Sequence, residues 1–361
     1  MALAHRIGAL ATNRSPTEDI PMSRYTRSMC TTLGCFAATI VLFAAAYFYA
    51  ASDSHAAPAP AKSRAAYTVI SGILTPLWIA AEEGAFRKYN LALDLVFISG
   101  SPVTISSLVS GEIDFAAPGA EPAVSAILAG ADLSIVAFVA NRTPISLYVE
   151  PTIAKVEDLR GKTVALTSFA SSGAYLLKVC LGEVRLEQRK DVQVTQSGGY
   201  VESLAALSSG RVQGALLAPP ISCRAEALGF KKIWSGAGVE YPSTTIAVRK
   251  SFLKKSEDSV MQFLQAVADG VHVFKTDRDK ALKVMAHYTK IKDRNILEKT
   301  YVDNKDVHNQ MLLPTESGIK TILEVLAAVN PKAANAKPET FIDTGPVKKL
   351  EERGFFKKFS S

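Results

Sequence analysis

The sequence predicts an α/β protein of two similar lobes, each a mostly parallel sheet with helices on both faces. Three observations carry that reading. Short apolar runs alternate with amphipathic segments through the middle of the chain, the pattern of parallel strands joined by helices. The chain also repeats itself: LVSGEIDFAAPGAEP (108–122) resembles LSSGRVQGALLAPPI (207–221) at an offset of 99 residues. Finally, 361 residues that are 48% hydrophobic and 21% charged suffice for two cores and exclude wholesale disorder.

In chain order, residues 1–56 read as an export segment. Arg24 and Arg27 precede an apolar run over 31–51, followed by the small, Pro/Ala-rich SDSHAAPAPAKSRAA. This is the pattern of a secretory signal with cleavage near Ala56; the run is also long enough to stay as an N-terminal membrane anchor. Either outcome places the rest of the chain outside the cytoplasmic membrane, in the periplasm. Met22 is a second candidate start beside Met1. No other run is long enough to span a membrane, which excludes a multi-span transporter. Residues 57–64 read as a linker.

The formal charge is +7, and residues 1–64 supply +3 of it, with six basic and three acidic side chains. The remainder is only modestly basic. It has no Lys/Arg-rich run with interleaved aromatics, which argues against a nucleic-acid partner. Cys30 and Cys35 fall in the export segment, so only Cys180 and Cys223 remain. Two cysteines make no disulfide framework; a single bridge and two buried thiols both stay open.

Each copy of the repeat reads strand, helix, strand, helix, strand. In the first copy a strand is predicted over 67–72. Thr75-Pro76 then starts a helix, since proline fits the first helical position and threonine is a capping residue. LWIAAEEGAFRKY has its apolar residues at helical spacing, and Asn90 ends it. A strand follows over 91–98, a second Ser-Pro helix start at Ser101-Pro102, a glycine stop at Gly111 and a third strand over 113–117. In the second copy Ser171-Ser172-Gly173 and Gly198-Gly199-Tyr200 open helices, and Gly210 closes the second of them. From Ser256 onward the chain reads as mostly helical: SEDSVMQFLQAVADGVHVFKTD, 277–289 and 314–329. A loop follows, and then a short basic surface helix, PVKKLEERGFFKKF.

In open α/β sheets, ligands bind beyond the carboxyl ends of the strands. The predicted segments there are 73–78, 100–103, 118–121, 141–143, 168–173, 199–200 and 218–220. They are rich in Gly, Ser, Thr and Pro, and several are helix starts that favour an anion. Their acidic content is Glu121, with Glu240 of a later loop as the other candidate, which is thin for paired-carboxylate catalysis. His272, His287 and His308 lie outside these loops with no zinc-ligand spacing, so no metal is expected. There is no Gly-x-Ser-x-Gly elbow, phosphate loop or dinucleotide fingerprint, so no cofactor is expected either.

Three stretches carry a family resemblance: TPLWIAAEEGAFRKYNLALDLVFISG, SSLVSGEIDFAAPGAEPA and VEDLRGKTVALTSFASSGAYLL. They are similar to the periplasmic substrate-binding proteins of nitrate/sulfonate/taurine-type ABC importers. The resemblance covers roughly residues 67–274. It implies a two-lobe Venus-flytrap fold of the type II periplasmic-binding-protein kind, hinged by two crossing strands at 146–151 and 244–250. Lobe one would hold 65–147 and 248–361, and lobe two 148–247.

The resemblance further implies a monomer that captures a small solute between its lobes and delivers it to a membrane permease. Thr75, Pro76, Trp78, Gly100, Ser101, Gly119 and Ala120 would line the lobe-one wall. Ser171, Ser172, Tyr175, Gly199 and Tyr200 would face them. Arg142, after the apolar run 135–140, is the candidate partner for an anion, because its fork matches an oxyanion. Two other readings share the fold: an enzyme of the pyrimidine-synthase or menaquinone-pathway lyase kind, and an anchored sensor domain. The export segment and the lack of a cysteine-rich metal motif speak against the enzyme.

Overall fold

The computed structural model describes residues 61–359, apart from Ser168, Ala170 and Ser171. The predicted export segment, Cys30 and Cys35 lie outside the described residues. Among those described, no helix is long and apolar enough to cross a membrane.

The strands are β1 (Ala61–Tyr67), β2 (Leu91–Phe97), β3 (Phe115–Ala117), β4 (Leu133–Ala140), β5 (Ser146–Val149), β6 (Thr163–Leu166), β7 (Gln193–Gln196), β8 (Gly214–Leu217), β9 (Lys231–Ser235) and β10 (Thr244–Arg249). They form two five-stranded sheets, ordered β2-β1-β3-β10-β4 and β7-β6-β8-β5-β9. The helices of the first lobe's amino-terminal half are α1 (Thr75–Glu82), α2 (Ala85–Lys88), α3 (Ser101–Ser110) and α4 (Ala120–Leu128). The second lobe has α5 (Ser172–Glu183), α6 (Tyr200–Ser208) and α7 (Ile221–Ala227). The carboxyl-terminal part adds α8 (Lys250–Lys255), α9 (Glu257–Thr276), α10 (Arg278–Thr289), α11 (Arg294–Lys305), α12 (Glu316–Ala327) and α13 (Gly345–Glu352).

The 99-residue repeat is preserved in strand register. Ala65 pairs with Phe115 and Val164 with Gly214; Arg64 pairs with Asp94 and Thr163 with Gln193. Adding 99 to either residue of the first pair gives the second. Gly111 and Gly210, one offset apart, both turn the chain at positive φ, 87° and 73°.

The first strand lies earlier than the sequence suggests. β1 is AKSRAAY, so 61–64, read as linker, pair with β2, while 68–74 turn away from the sheet. Flanking strands on both sides satisfy the backbone of β1, which overrides the weak strand propensity of Ala, Lys and Ser. Thr75 does open α1 together with Pro76, but it caps nothing; its hydroxyl donates to the Gly72 carbonyl at 2.7 Å.

The two crossings also differ from expectation. The predicted crossing strands at 146–151 and 244–250 supply β5 and β10, equivalent antiparallel strands of the two sheets. The chain passes between sheets at 141–145 and returns at 236–243. Ser146 and Leu147 therefore pair within the second sheet, and Thr244–Ala247 within the first. The two crossings bind each other: Tyr241 N–H donates to the Asn141 carbonyl at 2.8 Å, Gly236 N–H to Ile145 at 2.9 Å, and the Ser243 hydroxyl to Arg142 at 2.5 Å.

The carboxyl-terminal helices return to the first lobe. β4 is an edge strand yet buried along its whole length, because later chain covers it. Ile135 N–H donates to Phe341, Phe138 N–H to Leu312, and Asn309 N–H donates back to Val139. An apolar edge strand left open would invite pairing with another chain. α11, which the sequence reading passed over, is capped by Asp293, whose carboxylate accepts from Asn295 and Ile296 N–H. α13 is more than a surface helix, since Val347 and Leu350 enter the first lobe's core.

Cys180 and Cys223 are buried free thiols, so the open alternative resolves without a bridge. Burial pushes the Cys180 thiol up to about 12, well away from reactivity.

His308 is also a core residue. Its Nδ1 lies 2.7 Å from the Asn304 carbonyl and its Nε2 lies 2.8 Å from the Ile73 carbonyl. Burial holds its pKa down to about 4, against the pull of both carbonyls. The folded chain thus favours the neutral ring, whereas the unfolded ring titrates near ~6.5. Its contribution to stability is complete above that value and is lost as pH falls toward 4. Urea unfolding should show a loss of about 2 kcal/mol between pH 7 and pH 5, and His308→Asn should flatten that slope.

Candidate functional site

The parallel strands of both sheets end on loops at 68–71, 98–100, 118–119, 197–199 and 218–220, and β6 ends at Leu166. Three of the helices that follow start from glycine: α3 from Gly100, α4 from Gly119 and α6 from Gly199. Gly100 has φ 89°, which glycine adopts without strain.

The centre of the site is Glu121, the second residue of α4. Its Oε1 accepts a hydrogen bond from the Tyr241 hydroxyl. Tyr241 is buried in the return crossing, and its hydroxyl also meets the Ser172 hydroxyl at the start of α5. Its ring lies 6.0 Å from that of Tyr175, a second-lobe residue that hydrogen-bonds Thr321 of α12 in the first lobe. Tyr200, at the start of α6, sits close enough to Glu121 for the two charges to interact. A carboxyl from lobe one, a phenol from the crossing, and a hydroxyl and two phenols from lobe two therefore meet in one place.

The electrostatics follow from burial. Burial raises the Glu121 carboxyl above the ordinary carboxylate range, although the Tyr241 hydrogen bond opposes it. The Tyr241 phenol is pushed well up, first by burial and then by the Glu121 charge. Tyr200 moves the same way for the same two reasons. A carboxyl shifted by burial beside specific partners makes its position a candidate functional one.

Of the residues singled out by sequence, Gly119, Ala120, Ser172, Tyr175, Gly199 and Tyr200 stand on the loops and helix starts around Glu121. Ala120 N–H donates to the Pro242 carbonyl at 3.3 Å, which joins α4 to the return crossing. Gly100 and Ser101 stand at the start of α3, on the same edge of the first sheet. Arg142 is exposed on the first crossing and forms no ion pair among the described residues. Ser171 lies outside the described residues.

Thr75, Pro76 and Trp78 do not belong to this wall. All three are buried, and Trp78 packs in the first core between Tyr288, stacked at 4.5 Å, and the edge of Tyr67 at 5.8 Å. With β1 ending at Tyr67, the loop at the sheet edge is 68–71, and α1 has already turned inward. In the sequence Glu121 stands out only as an acidic residue in a predicted loop, and Tyr241 carries no motif of its own. GVEYPS, a glycine-to-proline stretch between two strands, was the available signal for the second. Among the described residues no group of His, Cys, Asp and Glu is arranged to hold a metal.

Two sheets in this order, joined by paired crossings and facing each other across a polar cluster, define the two-lobe periplasmic binding protein class. The periplasmic aliphatic sulphonate binding protein SsuA from Escherichia coli has a similar structure, with a TM-score of 0.67 at 17% identity over 80% of this chain and 99% of that one. So has the periplasmic nitrate-binding protein NrtA from Synechocystis PCC 6803, with a TM-score of 0.65 at 12% identity over 81% and 88% of the two chains. At such identities the likeness is one of fold.

The family model described as NMT1/THI5 like matches residues 73–281, and the chain belongs to that family. YtlA of Bacillus subtilis, which carries the name of a binding protein, is 25% identical over 213 residues, 57% of this chain and 64% of that protein. The match thus spans less than two thirds of that relative's length. A protein of Brucella abortus with a similar name is 21% identical over 241 residues, 65% of this chain and 73% of its own.

Proposed function

We propose that this chain is the extracytoplasmic solute-binding component of an ABC importer. It would take one small molecule between its lobes and deliver it to a membrane permease. The observation that carries this reading is the convergence of Glu121, Tyr241, Ser172 and Tyr200 from both lobes and the return crossing. Groups so arranged hold a ligand only when the lobes are together, so the ligand favours closure by its extra affinity for that state. The mutually bonded crossings at 141–145 and 236–243 supply the hinge about which the lobes would turn.

A further inter-lobe contact supports the same motion. Lys299 of α11 lies 2.8 Å from Glu226 of α7, an ion pair about one third exposed. A pair of that exposure is worth about 0.2–1 kcal/mol, enough to bias closure without locking it. The named neighbours bind sulphonate in one case and nitrate in the other, so their names agree on small solutes and not on one solute.

The test is a thermal-shift screen of the purified chain against sulfonates, nitrate, carboxylates, pyrimidines and amines, followed by small-angle scattering. The expected result is a raised Tm with at least one class, one site per chain, and a smaller radius of gyration when bound. No shift with any class, together with turnover of a candidate substrate, would overturn the reading in favour of an enzyme.

A further inference from the structure

Glu121, where the two lobes meet, forms no ion pair with any cation among the described residues. It is bonded to a phenol and flanked by a second. A buried carboxylate supported only by neutral donors is incompletely compensated, and the missing partner is a positive charge. An oxyanion brought to the same place would meet a like charge.

Large apolar side chains are exposed at the carboxyl edges of both sheets. Val69 and Ile70 follow β1, Phe97 ends β2 and Val103 lies in the first turn of α3. From the second lobe, Phe169 follows β6 and Val201 lies in the first turn of α6. All six are exposed at the carboxyl edges of the sheets, where the two lobes face each other. Large apolar side chains exposed together mark a surface that takes a partner or a ligand. Ligand sites commonly pair such a lining with a few polar groups that fix orientation.

We propose that the solute is a small organic cation: a protonated amine or amidinium group held by the Glu121 carboxylate, on an apolar body that packs against exposed side chains of the first-lobe edge such as Val69 and Ile70. The proposal rests on the solute-binding reading above and names the chemical class that site would take. It replaces the oxyanion expected from Arg142 and from the helix starts.

The experiment uses probes that share one body: benzylamine and benzamidine against benzenesulfonate and benzyl alcohol, by calorimetry on the purified chain. The two cations are expected to bind at least tenfold more tightly than the sulfonate or the alcohol. Glu121→Gln, which can still accept from Tyr241, is expected to lose about 10- to 100-fold in cation affinity, the range of a charge-assisted hydrogen bond. Glu121→Asp keeps the charge and is expected to retain the preference for cations.

A merely structural role for Glu121 would leave the ratio of cation to sulfonate affinity unchanged in the Gln variant, and that result would overturn the proposal. Tighter binding of benzenesulfonate than of the cations would overturn it too, while leaving the solute-binding reading intact. No binding by any class in the wider screen would overturn both.

Discussion

Gly270→Ala is expected to lower the stability of the folded chain by about 2–3 kcal/mol, although alanine is the better helix former. Gly270 lies inside α9, where α9 crosses α1. A Cβ at this position would stand 2.1 Å from the Pro76 carbonyl oxygen and 3.1 Å from the Ala80 Cβ. The first of these contacts is with backbone in the first turn of α1, so no side chain can move aside. The helices must separate instead, and the loss of packing exceeds the ~1 kcal/mol that glycine costs a helix interior. Gly182, in α5 with nothing within 4 Å of its would-be Cβ, is the matched control. Gly182→Ala should raise stability by about 0.5–1 kcal/mol. Urea titration of both variants at constant m-value checks the pair. A neutral or stabilising Gly270→Ala would mean that α1 and α9 have slack where they cross.

The position of α1 also shows what the sequence could and could not reveal. The duplication was legible because two copies of one architecture keep the same spacing, and the register of β1–β3 and β6–β8 preserves 99 residues throughout. The start of β1 was harder to read. Beside AKSRAAY, the neighbouring YTVISG has the β-branched residues of a strand, and local propensity therefore favours the wrong segment. What decides the matter is the pair of strands flanking β1, which no local window contains. The repeat held the correction, since Val164–Leu166 of β6 moved back by 99 falls on Ala65–Tyr67.

That misplacement has consequences for the site. A strand ending at 72 puts Thr75, Pro76 and Trp78 at the sheet edge; a strand ending at 67 puts 68–71 there and buries the other three. The second-lobe positions suffered no such shift: Ser172, Gly199 and Tyr200 stand at the starts of α5 and α6, as their residue types imply. Tyr241 depends on where the chain crosses between lobes. A strand shared between lobes and a strand just beyond a crossing look alike in sequence, so β10 was mistaken for the hinge and the short stretch before it was passed over.

Trp78→Ala separates a core tryptophan from a cleft tryptophan, and the expected outcome is a loss of about 3–5 kcal/mol in stability with little change in ligand affinity. The indole is buried and ties three elements together: it belongs to α1, stacks at 4.5 Å and 4° on Tyr288 of α10, and meets the edge of Tyr67 at the end of β1. Removing it leaves a cavity that rigid helices on two sides cannot close. Trp78→Phe keeps an aromatic face for Tyr288 and should recover more than half of the loss. Denaturant midpoints for the three proteins give the stability series, and calorimetry below the transition gives affinity for whichever solute the screen identifies. A cleft role predicts the opposite pattern, in which affinity falls at least tenfold in Trp78→Ala while the midpoint barely moves. Thr75 and Pro76 share the first turns of α1 with the tryptophan: an effect of these residues on binding would have to pass through the packing of that helix, and so would appear in stability before it appeared in affinity.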